Sequence, residues 1–275
     1  SWSYAYDRKG KLIRQTDARS KTICLYYDNL ARLVGKHFRN DTSCPATVTS
    51  YNVFYWYDTG HNSTNRSRGQ LTYVSNGQTD RYLIYNERGL VAQERIGFAD
   101  GAPYYYTSYT YDSYLRPSKT TYPDNEVVTV SYNSMGLPSS LSSSSPSGTL
   151  VDSVSYDAAG RLTQMRFPAG GNLWRTQSYW PWTGSSNNSN GRLNTIKVGT
   201  SNGSGERLSL TYGYDSFGNI GGLTEQYGSA RADKLFCYDS QNRLLRGYDA
   251  YNLTVSYVQN CATGNSSGRT YSYDS

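Results

Sequence analysis

The most regular feature of the chain is an alternation of aromatic residues with small or polar ones. It is clearest in four short segments: YAY at 4–6, YTY at 109–111, YGY at 212–214 and YSY at 271–273. A period of two places both tyrosines of a segment on the same face of a β-strand. Because no apolar period of 3.6 residues is sustained, the pattern predicts strands and no helices.

A turn signal follows these segments. Asp or Asn comes directly after the second aromatic residue and Gly three positions later, as in Asp7/Gly10, Asn86/Gly89, Asn133/Gly136, Asp157/Gly160 and Asp215/Gly218. Asp accepts hydrogen bonds from the backbone that follows it, and Gly supplies the positive φ that closes a short hairpin. The next strand opens with a basic or polar residue and an aliphatic one, as in Arg161-Leu162. The arginine is expected either to lie over a tyrosine ring of a neighbouring hairpin or to pair with the turn Asp.

This unit recurs along the chain. Its second aromatic residue falls at Tyr6, Tyr27, Tyr57, Tyr85, Tyr111, Tyr132, Tyr156, Tyr214, Tyr238 and Tyr273, with a degenerate copy near Trp180. The spacing, mostly 21 to 30 residues, is typical of an array of supersecondary units. We therefore predict an all-β fold and a single domain over residues 1–275, an array of about ten hairpin units that stops halfway through a hairpin at its C-terminal end.

The pattern Y-x-Y-D-x-x-G-R-L resembles the YD repeat of the Rhs family, which is also found in teneurins and in the cocoon subunits of insecticidal toxin complexes. The resemblance covers nearly the whole chain. It implies tandem hairpins in a continuous, spiralling antiparallel sheet, a β-solenoid or a hollow shell that encloses a toxin polypeptide. Family shells are several times longer and end in an aspartyl autoprotease region rich in Asp-Pro. Since no Asp-Pro occurs here, the toxin and its release machinery are not expected in this chain.

Composition shows how such a sheet would be stabilised and which partners it would have. Tyrosine, with 29 copies against 6 Phe, carries most of the large apolar surface. No apolar run is long enough to span a bilayer. The formal net charge is +6, but the 27 Lys and Arg are scattered without a run of five. This disfavours nucleic acid as a partner and leaves weak affinity for acidic polysaccharide or a cell surface.

The four cysteines are Cys24, Cys44, Cys237 and Cys261. Three pairings are formally possible, of which Cys24–Cys44 with Cys237–Cys261 is the local one. We expect neighbouring repeat units to bring each pair onto adjacent strands. Metal binding is disfavoured because the chain has no C-x-x-C and only His37 and His61. Two disulfides would indicate an oxidising, extracytoplasmic compartment.

Catalytic residues are not apparent in the sequence. A nucleophile paired with a base, a carboxylate pair or a metal cluster would be needed, and the two histidines lie in no such arrangement. The recurring Asp is interpreted as a turn cap rather than as an acid or a calcium ligand. We therefore expect no enzymatic activity and no cofactor.

Polar insertions at 59–69, 139–148 and 181–191 are expected to form exterior loops. Candidate N-glycosylation sites are Asn40, Asn62, Asn65, Asn187, Asn202, Asn252 and Asn265. The tyrosines of the motif are expected to stack on one another as the core of the sheet. Trp174, Trp180 and Trp182 lie in the degenerate unit and are the better candidates for an exposed patch that stacks on sugar rings.

The expected function is that of a secreted, non-enzymatic structural protein. Its units would self-associate end to end or edge to edge into an extracellular fibre, tube or surface layer, because an unpaired aromatic edge strand invites another strand. The alternatives are a fragment of an Rhs-type shell around a toxin and an adhesive, carbohydrate-binding ectodomain.

Overall fold

The computed structural model describes residues 1–58, 67–184, 187–250 and 269–270. It is all-β, as predicted, and divides into two compact units, Ser1–Val128 and Thr129–Ser275. One turn of 3-10 helix lies at Pro168–Gly170.

The first unit is an antiparallel meander in which each strand pairs with the next along the chain. Its strands are β1 (Ser3–Tyr6), β2 (Leu12–Thr16), β3 (Thr22–Tyr27), β4 (Leu33–Arg39), β5 (Val53–Tyr57), β6 (Leu71–Ser75), β7 (Thr79–Tyr85), β8 (Val91–Phe98), β9 (Tyr105–Tyr111) and β10 (Pro117–Thr121). Strand β11 (Val127–Tyr132) contains the boundary between the units.

The second unit repeats this plan. Its strands are β12 (Pro138–Ser144), β13 (Ser147–Tyr156), β14 (Leu162–Phe167), β15 (Leu173–Tyr179), β16 (Leu193–Gly199), β17 (Leu208–Tyr214), β18 (Ile220–Tyr227), β19 (Ala230–Tyr238), β20 (Leu244–Ala250) and β21 (Arg269–Thr270), each paired antiparallel with the next.

A meander places alternate connections at opposite ends of its strands, so each unit has two unlike rows of connections. We call the strand ends that carry the YD turns the YD edge. Its described turns include 7–10, 28–31, 86–89, 112–115, 157–160, 215–218 and 239–242. The other is the return edge, with connections at 17–21, 40–52, 76–78, 99–104 and 122–126 in the first unit and at 145–146, 168–172, 200–207 and 228–229 in the second.

The register is interrupted in the same way beside the YD edge in every described pair. The last tyrosine of one strand faces the first residue of the next, and a β-bulge lies immediately inside that pair. The pairs are Tyr6↔Leu12, Tyr27↔Leu33, Tyr57↔Leu71, Tyr85↔Val91, Tyr111↔Pro117, Tyr156↔Leu162, Tyr179↔Leu193, Tyr214↔Ile220 and Tyr238↔Leu244. Since a bulge adds one residue to one strand, it re-aims the side chains next to it.

Few side chains are fully covered in the described part of the chain. The buried hydrophobic residues are Cys24, Tyr214 and Cys237, while Thr22, Thr72 and Asp233 are buried polar residues. Most strand positions are half-buried, which is the environment that suits aromatic and β-branched residues on a pleated surface. The sheet is therefore stabilised mainly by contacts between neighbouring strands.

The expectation of an exterior loop at 139–148 is wrong. Most of this segment lies in strands β12 and β13, where Leu141 faces Val151 and Ser143 is buried. The polarity of serine favours a loop when the sequence alone is considered. A short hydroxyl side chain fits a pleated strand, however, and ladder pairing satisfies the backbone whatever the side-chain polarity.

Candidate functional site

The YD turns have one hydrogen-bonding scheme. In the turn after β13, Asp157 Oδ1 accepts the backbone N–H groups of Ala159 and Arg161, each at 2.9 Å. Asp157 Oδ2 accepts from Arg161 Nε at 2.7 Å. The same pair of backbone bonds is made by the side chains of Asp7, Asp28, Asn86, Asp112, Asn133, Asp215 and Asp239.

These bonds define the chemical state of the turn carboxylates. The Arg161 side chain, together with the backbone N–H groups, holds the pKa of Asp157 below its usual value, and Arg116 does the same for Asp112. Such a carboxylate is ionised at neutral pH, whereas a general acid needs a raised pKa. The geometry of the turn Asp is that of a cap.

The fourth residue of each turn has the left-handed backbone conformation that favours glycine. Gly10, Gly160 and Gly218 have φ values of 80°, 74° and 94°. The same conformation is adopted without glycine by Ala31, Leu115 and Asn242 at the YD edge and by Ser20 and Asn125 at the return edge. A search for Asp followed by Gly therefore misses these turns.

The tyrosine that precedes each turn reaches back one hairpin. Its hydroxyl donates to the backbone carbonyl of the residue that opens the preceding hairpin's second strand. This bond is made by Tyr27 to Leu12, Tyr57 to Leu33, Tyr85 to Leu71, Tyr111 to Val91, Tyr156 to Pro138, Tyr179 to Leu162, Tyr214 to Leu193 and Tyr238 to Ile220, at 2.6 to 3.1 Å. We call this series the tyrosine ladder.

Basic residues between turn and strand support the ladder. The guanidinium of Arg161 lies 4.1 Å from the ring centre of Tyr179 while it bonds Asp157. Arg32 lies over Tyr57 at 4.5 Å, bonds Asp28 in its own turn and pairs with Asp58 in the next hairpin. The two roles expected of this arginine, over a ring or beside the Asp, are thus performed together.

Ring-on-ring stacking of the motif tyrosines, the arrangement expected from the sequence, is not how the ladder packs. Its tyrosines are held by hydroxyl-to-carbonyl bonds and by cations over their rings, while the ring pairs found in the first unit involve other aromatics, such as Tyr73 with Tyr82. Tyr214 is buried, but Tyr6 is 60% exposed. Tyr273 lies outside the described residues.

The degenerate unit belongs to the ladder through Tyr179 and not through the neighbouring Trp180, where the sequence predicts the copy. Its three tryptophans do not form one patch. Trp174 lies near the start of β15, and Trp180 and Trp182 follow its end. Trp182 is exposed, but Arg161 lies 4.7 Å from its ring centre, and Trp180 Nε1 donates to the Tyr212 carbonyl.

The candidate glycosylation sites differ in accessibility. Asn40 and Asn202 are exposed, and Asn202 Nδ2 donates to Gln164 Oε1 at 2.7 Å. Asn187 is half-buried, and its backbone carbonyl accepts from Arg192 in a connection where Ser189 is buried, so residues 181–191 are not a wholly exterior loop. Asn62, Asn65, Asn252 and Asn265 lie outside the described residues.

Cys24 and Cys44 form a disulfide with a Cα–Cα distance of 5.6 Å. Cys24 is on β3, but Cys44 lies in the 40–52 connection rather than on an adjacent strand. The expected strand-to-strand position was therefore wrong, because this connection folds back against β3 and β4: Tyr26 donates to the Pro45 carbonyl, and the Tyr51 ring lies on Gly35. Cys237 on β19 is also disulfide-bonded, and Cys261 lies outside the described residues.

The described residues contain no group of three or more His, Cys, Asp or Glu side chains that could hold a metal ion. They also contain no helix long and apolar enough to cross a membrane. A surface depression of about 500 Å³ is lined by Tyr51, Phe54, Trp56 and neighbours, without an acid, a base or a histidine. The most regular feature in the described part is thus the YD edge, whose hydrogen bonds and cation–ring contacts join neighbouring hairpins.

No protein-family model matches the chain, and comparison with curated proteins finds no match. Solved structures do match. The TcdB2-TccC3-Cdc42 and TcdB2-TccC3 structures each align with a TM-score of 0.66 and 16% identity over 90% of this chain. The Photorhabdus luminescens Tc holotoxin pore aligns equally well. This likeness shows the fold alone. The chain spans only 12 to 13% of the chains that it matches.

Proposed function

We propose that the chain is a non-enzymatic structural protein of an extracytoplasmic compartment, whose β-repeat sheet is itself the working part. The observation that carries the proposal is the tyrosine ladder, in which side chains of one hairpin bond the backbone of the hairpin before it. The turn carboxylates support the same conclusion, because they are ionised and their oxygens already accept the backbone N–H groups of the turn. The Cys24–Cys44 disulfide supports an oxidising location.

The assembly that we propose is a secreted fibre, tube or surface layer made by strand addition between copies. Strand β1 pairs with β2, and Trp2 just before it and Tyr4 and Tyr6 within it are all more than half exposed. Exposed edge strands of this kind are templates for pairing. Weak attraction to acidic polysaccharide or a cell surface, arising from the net charge of +6, would be secondary.

A second candidate is supported by the comparisons. The matching chains belong to Tc toxin structures and are much longer than this one. On that basis the sheet would be one stretch of the wall of an Rhs-type shell that encloses a polypeptide. The adhesive, carbohydrate-binding alternative has weaker support, since the three tryptophans do not converge.

Electron microscopy of native, non-reduced material, with intact mass on the same sample, tests these candidates. Ordered polymers with a repeating mass of 275 residues support the fibre, and excess mass reports glycans. Hollow particles that contain a longer chain support the shell. A hydrolytic activity that is lost when His37 and His61 are both replaced by alanine would contradict the structural proposal as a whole.

A matched pair of variants tests strand addition directly. Tyr4→Lys places a charge on β1 and is expected to abolish polymers. Tyr227→Lys changes an equally exposed tyrosine on β18, which is paired on both sides, and is expected to leave polymers intact. If both variants polymerise like the parent chain, the β1 edge is not the contact.

A further inference from the structure

A row of side chains crosses four strands of the first unit in register. Trp56 on β5 faces Tyr73 on β6, Tyr73 faces Tyr82 on β7, and Tyr82 faces Arg95 on β8. The ring centres are 5.3 Å apart for Trp56 and Tyr73 and 4.5 Å apart for Tyr73 and Tyr82. Directly opposed residues are the closest side-chain neighbours in a sheet, so these rings touch.

The end of the row at Tyr82 and Arg95 is closely packed. The Arg95 guanidinium lies over the rings of both Tyr82 and Tyr104, at 4.1 and 4.5 Å from their centres. Tyr104 rests on Gly97, where an added Cβ would come within 2.3 Å of the ring. Gly97 thus leaves room for the Tyr104 ring, and Arg95 packs against both Tyr104 and Tyr82.

Tyr73 also has a proton acceptor. Its hydroxyl donates to Asp80 Oδ1 at 2.8 Å. Burial raises the pKa of Tyr73 well above the usual value, so the ring is a neutral phenol at physiological pH. A neutral phenol is oxidised easily only when its proton can leave with the electron, and the Asp80 carboxylate is placed to receive that proton.

We propose that Tyr73 and Tyr82 form an oxidative cross-linking site that yields dityrosine. The oxidant is hydrogen peroxide acting through a haem peroxidase. Each phenol loses one electron and its hydroxyl proton, the two radicals join through a carbon–carbon bond between ring carbons ortho to oxygen, and each ortho hydrogen then moves as a proton to restore the phenol. The two tyrosines lose two hydrogen atoms in total, and one peroxide is reduced to two waters.

The geometry distinguishes this pair from the other tyrosines. The Tyr26–Tyr51 and Tyr82–Tyr104 pairs have ring centres 5.3 and 6.0 Å apart, both farther than Tyr73 and Tyr82. Ladder tyrosines such as Tyr85 donate to backbone carbonyls, which do not accept a proton as a carboxylate does. Trp56, 58% exposed and in contact with Tyr73, gives an external oxidant a route to the pair. The product would lock strands β6 and β7 covalently.

Peroxidase treatment of the full, non-reduced chain at high dilution tests this site. Dityrosine fluorescence reports the product. Trypsin cuts after Arg68, Arg81 and Arg88, so Tyr73 and Tyr82 fall in two peptides, 69–81 and 82–88. We expect a joined peptide lighter than the sum of the two by two hydrogens, formed at a rate independent of protein concentration. Fragmentation of this peptide separates Tyr82 from Tyr85.

Three variants sharpen the result. Tyr73→Phe and Tyr82→Phe keep the ring packing and are each expected to abolish the joined peptide, while Tyr105→Phe, at an exposed position, leaves it unchanged. Asp80→Asn keeps a hydrogen-bonding side chain but is a poor base, so cross-linking should slow by about a hundredfold at the same site. Far-UV circular dichroism establishes that each variant folds. Dityrosine that joins other tyrosines while the 73–82 peptide stays absent would overturn the proposal.

Discussion

The two edges of the sheet are built on different principles. At the YD edge, turn, bulge and tyrosine bond recur hairpin after hairpin with little change, as at Tyr179 and Tyr214. At the return edge, a tight turn at 17–20, a disulfide-bonded connection at 40–52 and a 3-10 turn at 168–170 serve the same purpose by different means. Regularity is needed where one hairpin bonds the backbone of another, and variation is tolerated where a connection only joins two strands.

Alkali should give the largest effect, because it acts on the YD edge as a whole. Burial raises the pKa of the ladder tyrosines Tyr85, Tyr214 and Tyr238 above the usual value of 10. A raised folded-state pKa means that the stabilisation is complete below about pH 10 and is lost as pH rises further. We expect cooperative unfolding above pH 10. Phenolate absorbance and circular dichroism, recorded on the same samples, should change together.

The alkaline transition has an internal control. Tyr214→Phe removes one titrating group, so its stability should fall less steeply above pH 10 than that of the parent chain. Phenolate formation near pH 10 with an unchanged circular dichroism spectrum would show that the ladder does not hold the fold.

A single tyrosine at each edge gives the next largest contrast. Tyr214→Ala removes a buried ring and its bond to Leu193, and should lower the free energy of unfolding by about 3 to 5 kcal/mol. Tyr227→Ala, at the exposed return-edge end of β18, should cost less than about 0.5 kcal/mol. Urea unfolding of both variants measures the difference, and equal losses would remove the distinction between the edges.

The return edge should depend on its covalent bond instead. Replacing Cys24 and Cys44 together by alanine opens a loop of 20 residues and should cost about 3 kcal/mol. Cys237 is left intact, so the loss reports this connection alone. An unchanged melting temperature and unchanged assembly would mean that the disulfide does not staple the 40–52 connection.

A turn carboxylate should give the smallest effect. Asp157→Ala removes the acceptor of two backbone N–H groups and should lower the melting temperature by about 2 to 4 °C. Asp157→Asn keeps that acceptor, as Asn86 and Asn133 show at the same position, and loses only the pair with Arg161. Calorimetry should therefore give the Asp157→Asn variant a melting temperature between those of the parent chain and the Asp157→Ala variant.

The sign of the acid response follows from the same groups. Arg161 and the backbone lower the pKa of Asp157, so the stabilisation from its ionised form is present above about pH 4 and disappears as pH falls below that value. At the return edge, Ser204 and Thr200 hold the pKa of Glu206 at about 2. Low pH should therefore destabilise both edges by protonating their carboxylates, whereas high pH destabilises the YD edge by ionising the ladder tyrosines.

Sequence pattern was sufficient for the fold class and for turns in which Asp precedes Gly, because both depend on local backbone preference. It missed the turn at Asp17, which closes with Ser20 instead of glycine, and the membership of Tyr179, whose turn is replaced by the long 180–192 connection. Sequence pattern could not predict the tyrosine ladder. Alternation shows that a tyrosine faces one side of a strand, but not that its hydroxyl bonds a carbonyl one hairpin back.

The direction of the ladder gives the array a polarity that a stack of identical strands would lack. Every described ladder bond points from a hairpin towards the one before it, as from Tyr238 to Ile220 and from Tyr214 to Leu193. A hairpin can therefore be duplicated or removed whole, since the tyrosine that follows still meets an opening carbonyl. Removing one strand would exchange the two edges for all later hairpins. Such a sheet can lengthen or shorten during evolution only in steps of two strands.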